Sequence, residues 1–278
     1  MNVPSDRSAV VERGLDSVQA VRRWLRLSWR GFAALGAALV AIIASGVILT
    51  AVSEDVIAGD GLELRDAANL GFFIDHRTPL LVSTAKSVTN LGGVPFLLGV
   101  ALVVGGLLWW RGARLAVAAA PALALGLAGV AAAIGKQLVN RGRPPVALRL
   151  VTETEASFPS GHATDSAALY LTIGLVLAVI VFRRPLARVL AVVVSGLAAV
   201  AIGGSRLLLG VHWPTDVLAG WSLGALVALT ITTAVLVLAR PRPTDPTARR
   251  GQLGGLWFGV HRLLTATRPS AQRVVAAP

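Results

Sequence analysis

The chain has 278 residues, of which 55% are apolar and only 14% charged, with no cysteine and a formal net charge of +12. Soluble domains carry about a quarter charged residues, so a water-soluble globular protein is excluded, and so are disulfides, thiolate catalysis and cysteine-held metals. The positive excess does not indicate nucleic acid: the arginines stand in short clusters beside apolar runs rather than across one basic face.

In chain order, residues 1–28 form a polar segment containing Arg22, Arg23 and Arg26. The first apolar run, 31–52, is too long for the apolar region of a signal peptide and follows polar sequence, so it is expected to remain as a span. Residues 53–93 are mixed and carry Glu54, Asp55, Asp60, Glu63 and Asp66. Within them, 67–74 and 80–91 are expected as short helices lying in the membrane interface. Further spans are expected at 94–110, 115–135, 163–182, 186–203 and 217–239, the third of the six containing Pro121, which membrane helices tolerate. Glycines at 99, 105, 126, 174, 220 and 224 suit close helix packing. Residues 240–278 form a proline- and arginine-rich tail whose 256–264 stretch is expected to rest on the inner surface. The fold expected is an all-α integral membrane protein of six transmembrane helices, with one domain over 29–239 and no internal repeat.

Arginine placement sets the orientation. Arg22–Arg30, Arg111 with Arg114, Arg183 with Arg184 and Arg188, and Arg240–Arg250 all fall on one side of a six-span chain, so both termini are expected in the cytoplasm of a cell-membrane protein. Trp24, Trp29, Trp109 and Trp110 mark the same boundary.

Three polar clusters interrupt the apolar chain, and span parity puts all of them at the opposite, outer face. They are Lys136 through Pro144, Pro159-Ser160-Gly161-His162, and Ser205-Arg206 through His212 to Asp216. Lys136, Arg143 and Arg206 offer three positive charges, and arginine's planar fork suits phosphate oxygens. Ser160 and Gly161 open a helix whose N-terminal N–H groups can face an anion. Two histidines then share one phosphate-sized site, where one can attack phosphorus while the other protonates the departing oxygen. Asp216, four residues after His212, can orient the imidazole.

These clusters resemble the type 2 phosphatidic acid phosphatase superfamily, whose pattern is Lys, six residues, Arg-Pro; Pro-Ser-Gly-His; and Ser-Arg, five residues, His, three residues, Asp. The resemblance covers Lys136 to Asp216. It implies His212 as nucleophile, Asp216 as its helper and His162 as general acid. Lys136, Arg143, Ser160, Gly161 and Arg206 would hold the phosphate. It further implies a reaction without metal or cofactor on a lipid phosphate or diphosphate, with undecaprenyl diphosphate, phosphatidic acid and phosphatidylglycerol phosphate as candidates. A lipid phosphotransferase using the same phosphohistidine is the alternative, followed by a non-catalytic lipid binder. Membrane lipids are the expected partners. His76 and His261 match nothing and read as loop and surface histidines. Arg141 and Arg149 lie outside the pattern and read as headgroup attractors or solvated charges. Asp165 is expected to make a local polar contact, while Asn69, Thr89 and Asn90 are candidates to approach the site from the outer loop, with no sequence signal that shows it.

Overall fold

The computed structural model describes residues 29–238, and among them every regular element is helical. The expectations for residues 1–28 and for the tail, His261 included, lie outside the described residues. Eight α-helices follow in order: α1 Trp29–Ala58, α2 Asp66–Asp75, α3 Pro79–Asn90, α4 Val94–Trp110, α5 Leu115–Val139, α6 Gly161–Val176, α7 Pro185–Leu208 and α8 Pro214–Leu238. A π-helical turn, Leu177–Val181, prolongs α6. α1, α5, the prolonged α6, α7 and α8 are each long and apolar enough to cross a bilayer. A sixth candidate is α4, which has 17 residues and is long enough only when taken with α3 as one span bent by 54°.

The two short helices expected in the first loop are α2 and α3. α3 starts where Thr78 accepts a hydrogen bond from the Leu81 N–H at 3.2 Å and Pro79 takes the first helical position. α5 runs unbroken through the buried Pro121. Three spans outrun the hydropathy signal at their C-terminal ends, α5 among them, which runs on through Lys136 to Val139. α1 continues through Ser53, Glu54 and Asp55 to Ala58, and α7 continues through Ser205 and Arg206 to Leu208. Ser205 hydrogen-bonds the Ile202 carbonyl, and Arg206 finds side-chain partners, so neither polar residue stops the helix.

α6 is the central helix and packs against α4, α5, α7 and α8. Its neighbours come close because the facing residues are small: Ala124 and Ala128 of α5 meet Ala168 of α6 and Val227 of α8. At Gly220 of α8, an added Cβ would lie 2.8 Å from the Ser160 carbonyl oxygen and 2.9 Å from Ala163 Cβ. At Gly224 it would collide with the Thr164 carbonyl and lie 2.6 Å from Ala167 Cβ. This Gly-x-x-x-Gly contact lets two backbones touch where lipid offers no hydrophobic drive for association. Gly105 approaches Ala118 and Gly174 approaches Ala191 in the same manner, whereas Gly99 and Gly126 face open space and take no part in close packing.

The α6–α8 contact should therefore be intolerant of bulk. Gly224→Leu is expected to cost about 3 kcal/mol or more, and Gly126→Leu close to nothing. Thermal unfolding midpoints of the two variants in one detergent would check this, and equal midpoints would remove the packing role.

Candidate active site

Four helix ends meet at one face: the C-termini of α5 and α7 and the N-termini of α6 and α8. Each carries residues from the three polar clusters, and each ends or starts there for a local reason. α5 stops at Asn140, whose left-handed backbone (φ 45°, ψ 42°) returns its N–H to the Lys136 carbonyl at 2.9 Å. That turn swings residues 141–143 across the mouth of the bundle. α7 ends in a Schellman motif: Gly210, at φ +70°, donates to the Leu207 carbonyl at 2.9 Å, and Val211 donates to the Arg206 carbonyl at 3.2 Å. The chain is thereby folded back, and His212 returns beside Arg206. α8 opens with Pro214, and Asp216 in its first turn accepts the Trp213 N–H at 2.8 Å, the carboxylate half of a capping box. α6 begins at Gly161, with the Ser160 N–H donating to the Asp216 carbonyl at 3.0 Å. The two helix starts are tied directly together.

His212 is 2% exposed and held from both sides. Its Nδ1 lies 3.4 Å from Asp216 Oδ2 and 3.5 Å from Ser157 Oγ. Its Nε2 lies 3.1 Å from an Arg143 N–H nitrogen. An N–H of Arg143 can only donate and a carboxylate can only accept, so the neutral ring carries its proton on Nδ1 and a lone pair on Nε2. Burial pushes the imidazole down to about 4, against the opposing pull of Asp216 and with added repulsion from Arg143 and Arg206. Asp216 is saturated. It accepts from Ser157, from the Trp213 N–H and from Arg141 at 2.8 Å, in addition to facing His212.

The other residues expected at the site gather around this ring. Arg143 donates to the carbonyls of Val211 and Glu155, both at 2.7 Å. Arg206, 2% exposed, donates to Thr89 Oγ1 at 2.8 Å and to Glu153. Lys136, in the last turn of α5, donates to Glu155 at 2.6 Å. Ser160 is fully buried, and among the described residues neither its hydroxyl nor the Nε of Arg206 has a hydrogen-bond partner. His162, the second helical residue of α6, is within electrostatic reach of Arg206, Glu153, His212 and Lys136. The first N–H groups of α6 have no intrahelical acceptor, and a Cβ at Gly161 would meet open space.

Several contributors were not legible as such in the sequence. Arg141 is not a solvated charge: its guanidinium reaches Asp216 at 2.8 Å, Thr215 at 2.8 Å, Asp66 at 2.8 Å and Glu63 at 3.0 Å. Burial lowers its proton affinity, but Asp216 and Asp66 outweigh this and raise it. Asp66, 2% exposed on α2, also accepts the backbone N–H of Thr215 at 3.0 Å and its hydroxyl. Glu153 and Glu155 are the acidic partners of the three cluster cations, and Ser157 is a second holder of Asp216. Gly92 lies where a Cβ would sit 3.2 Å from His162 Cδ2 and against Ile202. Among the described residues the Arg149 side chain bonds its own loop, at the Pro144 carbonyl 2.6 Å away. Thr89 does reach the site, while Asn69 and Asn90 are exposed. Asp165 is buried, and its Oδ1 has no hydrogen-bond partner among the described residues. His76 is exposed and bonds the Phe72 carbonyl of its own helix.

Known proteins resemble this chain. The family model of the PAP2 superfamily matches residues 117–240. Phosphatidylglycerophosphatase B of Bacillus subtilis (strain 168) is 34% identical over 156 residues, which cover 54% of this chain and 73% of that protein. Decaprenylphosphoryl-5-phosphoribose phosphatase of Mycobacterium tuberculosis (strain ATCC 25618 / H37Rv) is 40% identical over 95 residues, or 33% of this chain and 46% of that protein. The crystal structure of a transmembrane PAP2 type phosphatidylglycerolphosphate phosphatase from Bacillus subtilis superposes with a TM-score of 0.65 at 27% identity. That match covers 74% of this chain and 98% of the other.

The buried His212 has a pH consequence. Its folded pKa of about 4 lies below the ordinary histidine value of 6.5, so the folded state binds fewer protons than the unfolded chain. Stability from this residue is complete above the unfolded pKa and is lost as pH falls through the folded one. His212→Gln should therefore flatten the loss of thermal stability between pH 6.5 and 4. The ¹⁵N resonances of His212 should still report the neutral Nδ1–H ring at pH 5.5. Titration near 6.5 would show a solvated imidazole instead.

Proposed function

This chain belongs to the PAP2 superfamily, and on that premise we propose that it removes phosphate from a lipid phosphate or diphosphate through a phosphohistidine on His212. One observation supports this above the others: the Nε2 lone pair of His212 is directed at the Arg143 guanidinium while Nδ1 is held by Asp216. That is the tautomer a nitrogen nucleophile needs. A phosphoryl group bound between the Arg143, Arg206 and Lys136 cations, the Ser160 hydroxyl and the N-terminus of α6 would lie in front of Nε2.

The reaction follows from that placement. Nε2 attacks phosphorus, the bond from phosphorus to the leaving oxygen breaks, and His162 gives its proton to that oxygen. Charge spreads over three equatorial oxygens, which the guanidinium forks and backbone N–H groups stabilise. The imidazolium forming on His212 is offset by Asp216 across the Nδ1–H bond. A water molecule then attacks phosphorus, His162 takes its proton, and inorganic phosphate leaves with Nε2 free again. Every step above is carried by groups of this chain and by water.

The substrate would be a phosphate monoester or diphosphate on a lipid. The names of the two relatives, a phosphatidylglycerophosphatase and a phosphatase for a decaprenyl-linked phosphoribose, share that chemistry; undecaprenyl diphosphate and phosphatidic acid belong to the same class. The mouth would face the outer leaflet, with both termini in the cytoplasm, because Arg111, Arg183, Arg184 and Arg188 lie at the bundle end away from the site. Arg141, through Asp216, would hold the histidine in line.

Purified protein should release inorganic phosphate from at least one of undecaprenyl diphosphate, undecaprenyl phosphate, phosphatidic acid and phosphatidylglycerol phosphate. Vanadate should inhibit and EDTA should not. His212→Ala should abolish release, and substantial residual activity would remove it as nucleophile. Sealed right-side-out vesicles should hydrolyse added substrate, and activity seen only after permeabilisation would reverse the orientation.

Arg141→Lys keeps one charge but loses the fork that spans Asp216 and Asp66. It should lower kcat by about 10²-fold with KM nearly unchanged. It should add little to the defect of Asp216→Asn in the double variant, whereas additive losses would mean that Arg141 does not act through Asp216.

A further inference from the structure

Each cation expected to hold phosphate is already matched by a carboxylate from one short stretch of chain, residues 153–155. Glu153 bonds the Arg206 fork, and its other oxygen lies 3.7 Å from an Arg143 nitrogen. Glu155 takes Lys136 at 2.6 Å. The stretch is tied down at both ends, by the Leu150 N–H on the Leu209 carbonyl and the Ser157 N–H on the Arg141 carbonyl, both at 2.9 Å. Burial alone would raise Glu153, but Arg206 and then Arg143 hold it below the usual carboxylate range, so it is an anion at neutral pH. Glu153 remains 26% exposed while Arg206 is 2% exposed. The carboxylate therefore covers the guanidinium from the solvent side, on the path by which any other anion would reach it.

Resting on the phosphatase reading of this site, we propose that Glu153, seconded by Glu155, determines specificity by charge: a phosphoryl group binds only by exchanging with the Glu153 carboxylate. The exchange is uneven across anion classes. A phosphate diester carries one negative charge, as the carboxylate does, and two of its oxygens are esterified. Exchanging one for the other gains no charge, and the carboxylate has the high effective concentration of a tethered group. A phosphate monoester carries close to two charges at neutral pH and has three free oxygens. It can bridge Arg206, Arg143 and Lys136 together, which one carboxylate cannot. Diester headgroups are the most abundant anions of a bilayer, and they reach the mouth at high local concentration. The carboxylates keep them off the arginines without a steric barrier, so monoesters and diphosphates are selected in a membrane full of diesters.

The test uses two soluble probes, inorganic phosphate and dimethyl phosphate, titrated calorimetrically into the full-length protein on the His212→Ala background, so that no turnover is needed. Inorganic phosphate should bind and dimethyl phosphate should not. Adding Glu153→Gln, which keeps the shape and removes the charge, should let dimethyl phosphate bind. It should also tighten inorganic phosphate about tenfold. Glu155→Gln should move both in the same direction by less, which serves as the control if Glu153→Gln lowers the unfolding midpoint. In active enzyme, phosphatidylglycerol in mixed micelles should become a competitive inhibitor of the Glu153→Gln variant and not of the unsubstituted protein. Dimethyl phosphate remaining unbound by Glu153→Gln, or inorganic phosphate binding more weakly to it, would overturn the charge filter and leave the phosphatase intact. Failure of inorganic phosphate to bind either protein would overturn the phosphate site itself, and the filter with it.

Discussion

The contact between α6 and α8 sets every other distance at the polar end of the bundle. α6 brings Ser160, Gly161 and His162, α8 brings Asp216, and the loop entering α8 brings His212. None of these can share a site unless the two backbones touch. They touch because Gly220 and Gly224 present no side chain to the Ser160 and Thr164 carbonyls. The Ser160 N–H then reaches the Asp216 carbonyl. In lipid this closeness has to come from packing and backbone polarity, since burying a larger apolar side chain between the helices would gain nothing over leaving it in the hydrocarbon.

Given that contact, charge placement follows from a second constraint: an ion taken out of water needs a partner. The buried anions Asp66 and Asp216 share Arg141, which links the outer-loop helix α2 to the start of α8. The cations Arg206 and Lys136 are met by Glu153 and Glu155. Neutral His212 sits between these groups, with its proton directed to Asp216 and its lone pair to Arg143. One network therefore satisfies the electrostatics of burial and also fixes a tautomer suited to attack on phosphorus. The structural ion network and the proposed catalytic array are the same set of bonds.

Much of this was legible beforehand. The spans show in hydropathy because a helix in lipid must be apolar over about 20 residues, and five of the six are found as long helices, with α4 joined to α3 at a bend. The errors lie at span ends, where hydropathy falls before the helix does: Arg206 is a residue of the last turn of α7, not of a linker. The three motif clusters do converge, because span parity alone puts their helix ends on one face. The packing glycines could be identified only as a group. Gly220 and Gly224 face α6, but Gly126 faces open space, and that difference depends on helix rotation, which an almost uniformly apolar sequence does not record.

The sequence by itself determined the membrane, the helices and the residue types at the polar face, because each rests on local composition or on spacing along one helix. Only the tertiary structure decided which charge meets which. Arg141 lies two residues from Arg143 and looks like its neighbour. Yet one guanidinium turns to Asp216 and Asp66 and the other to His212, because the partners that each meets come from elements brought there by helix packing. Asp66 and Glu153 have no motif to announce them, since their partners lie 75 and 53 residues away along the chain. Long-range pairing of this kind is set by how the helices pack, and no short window of sequence carries it.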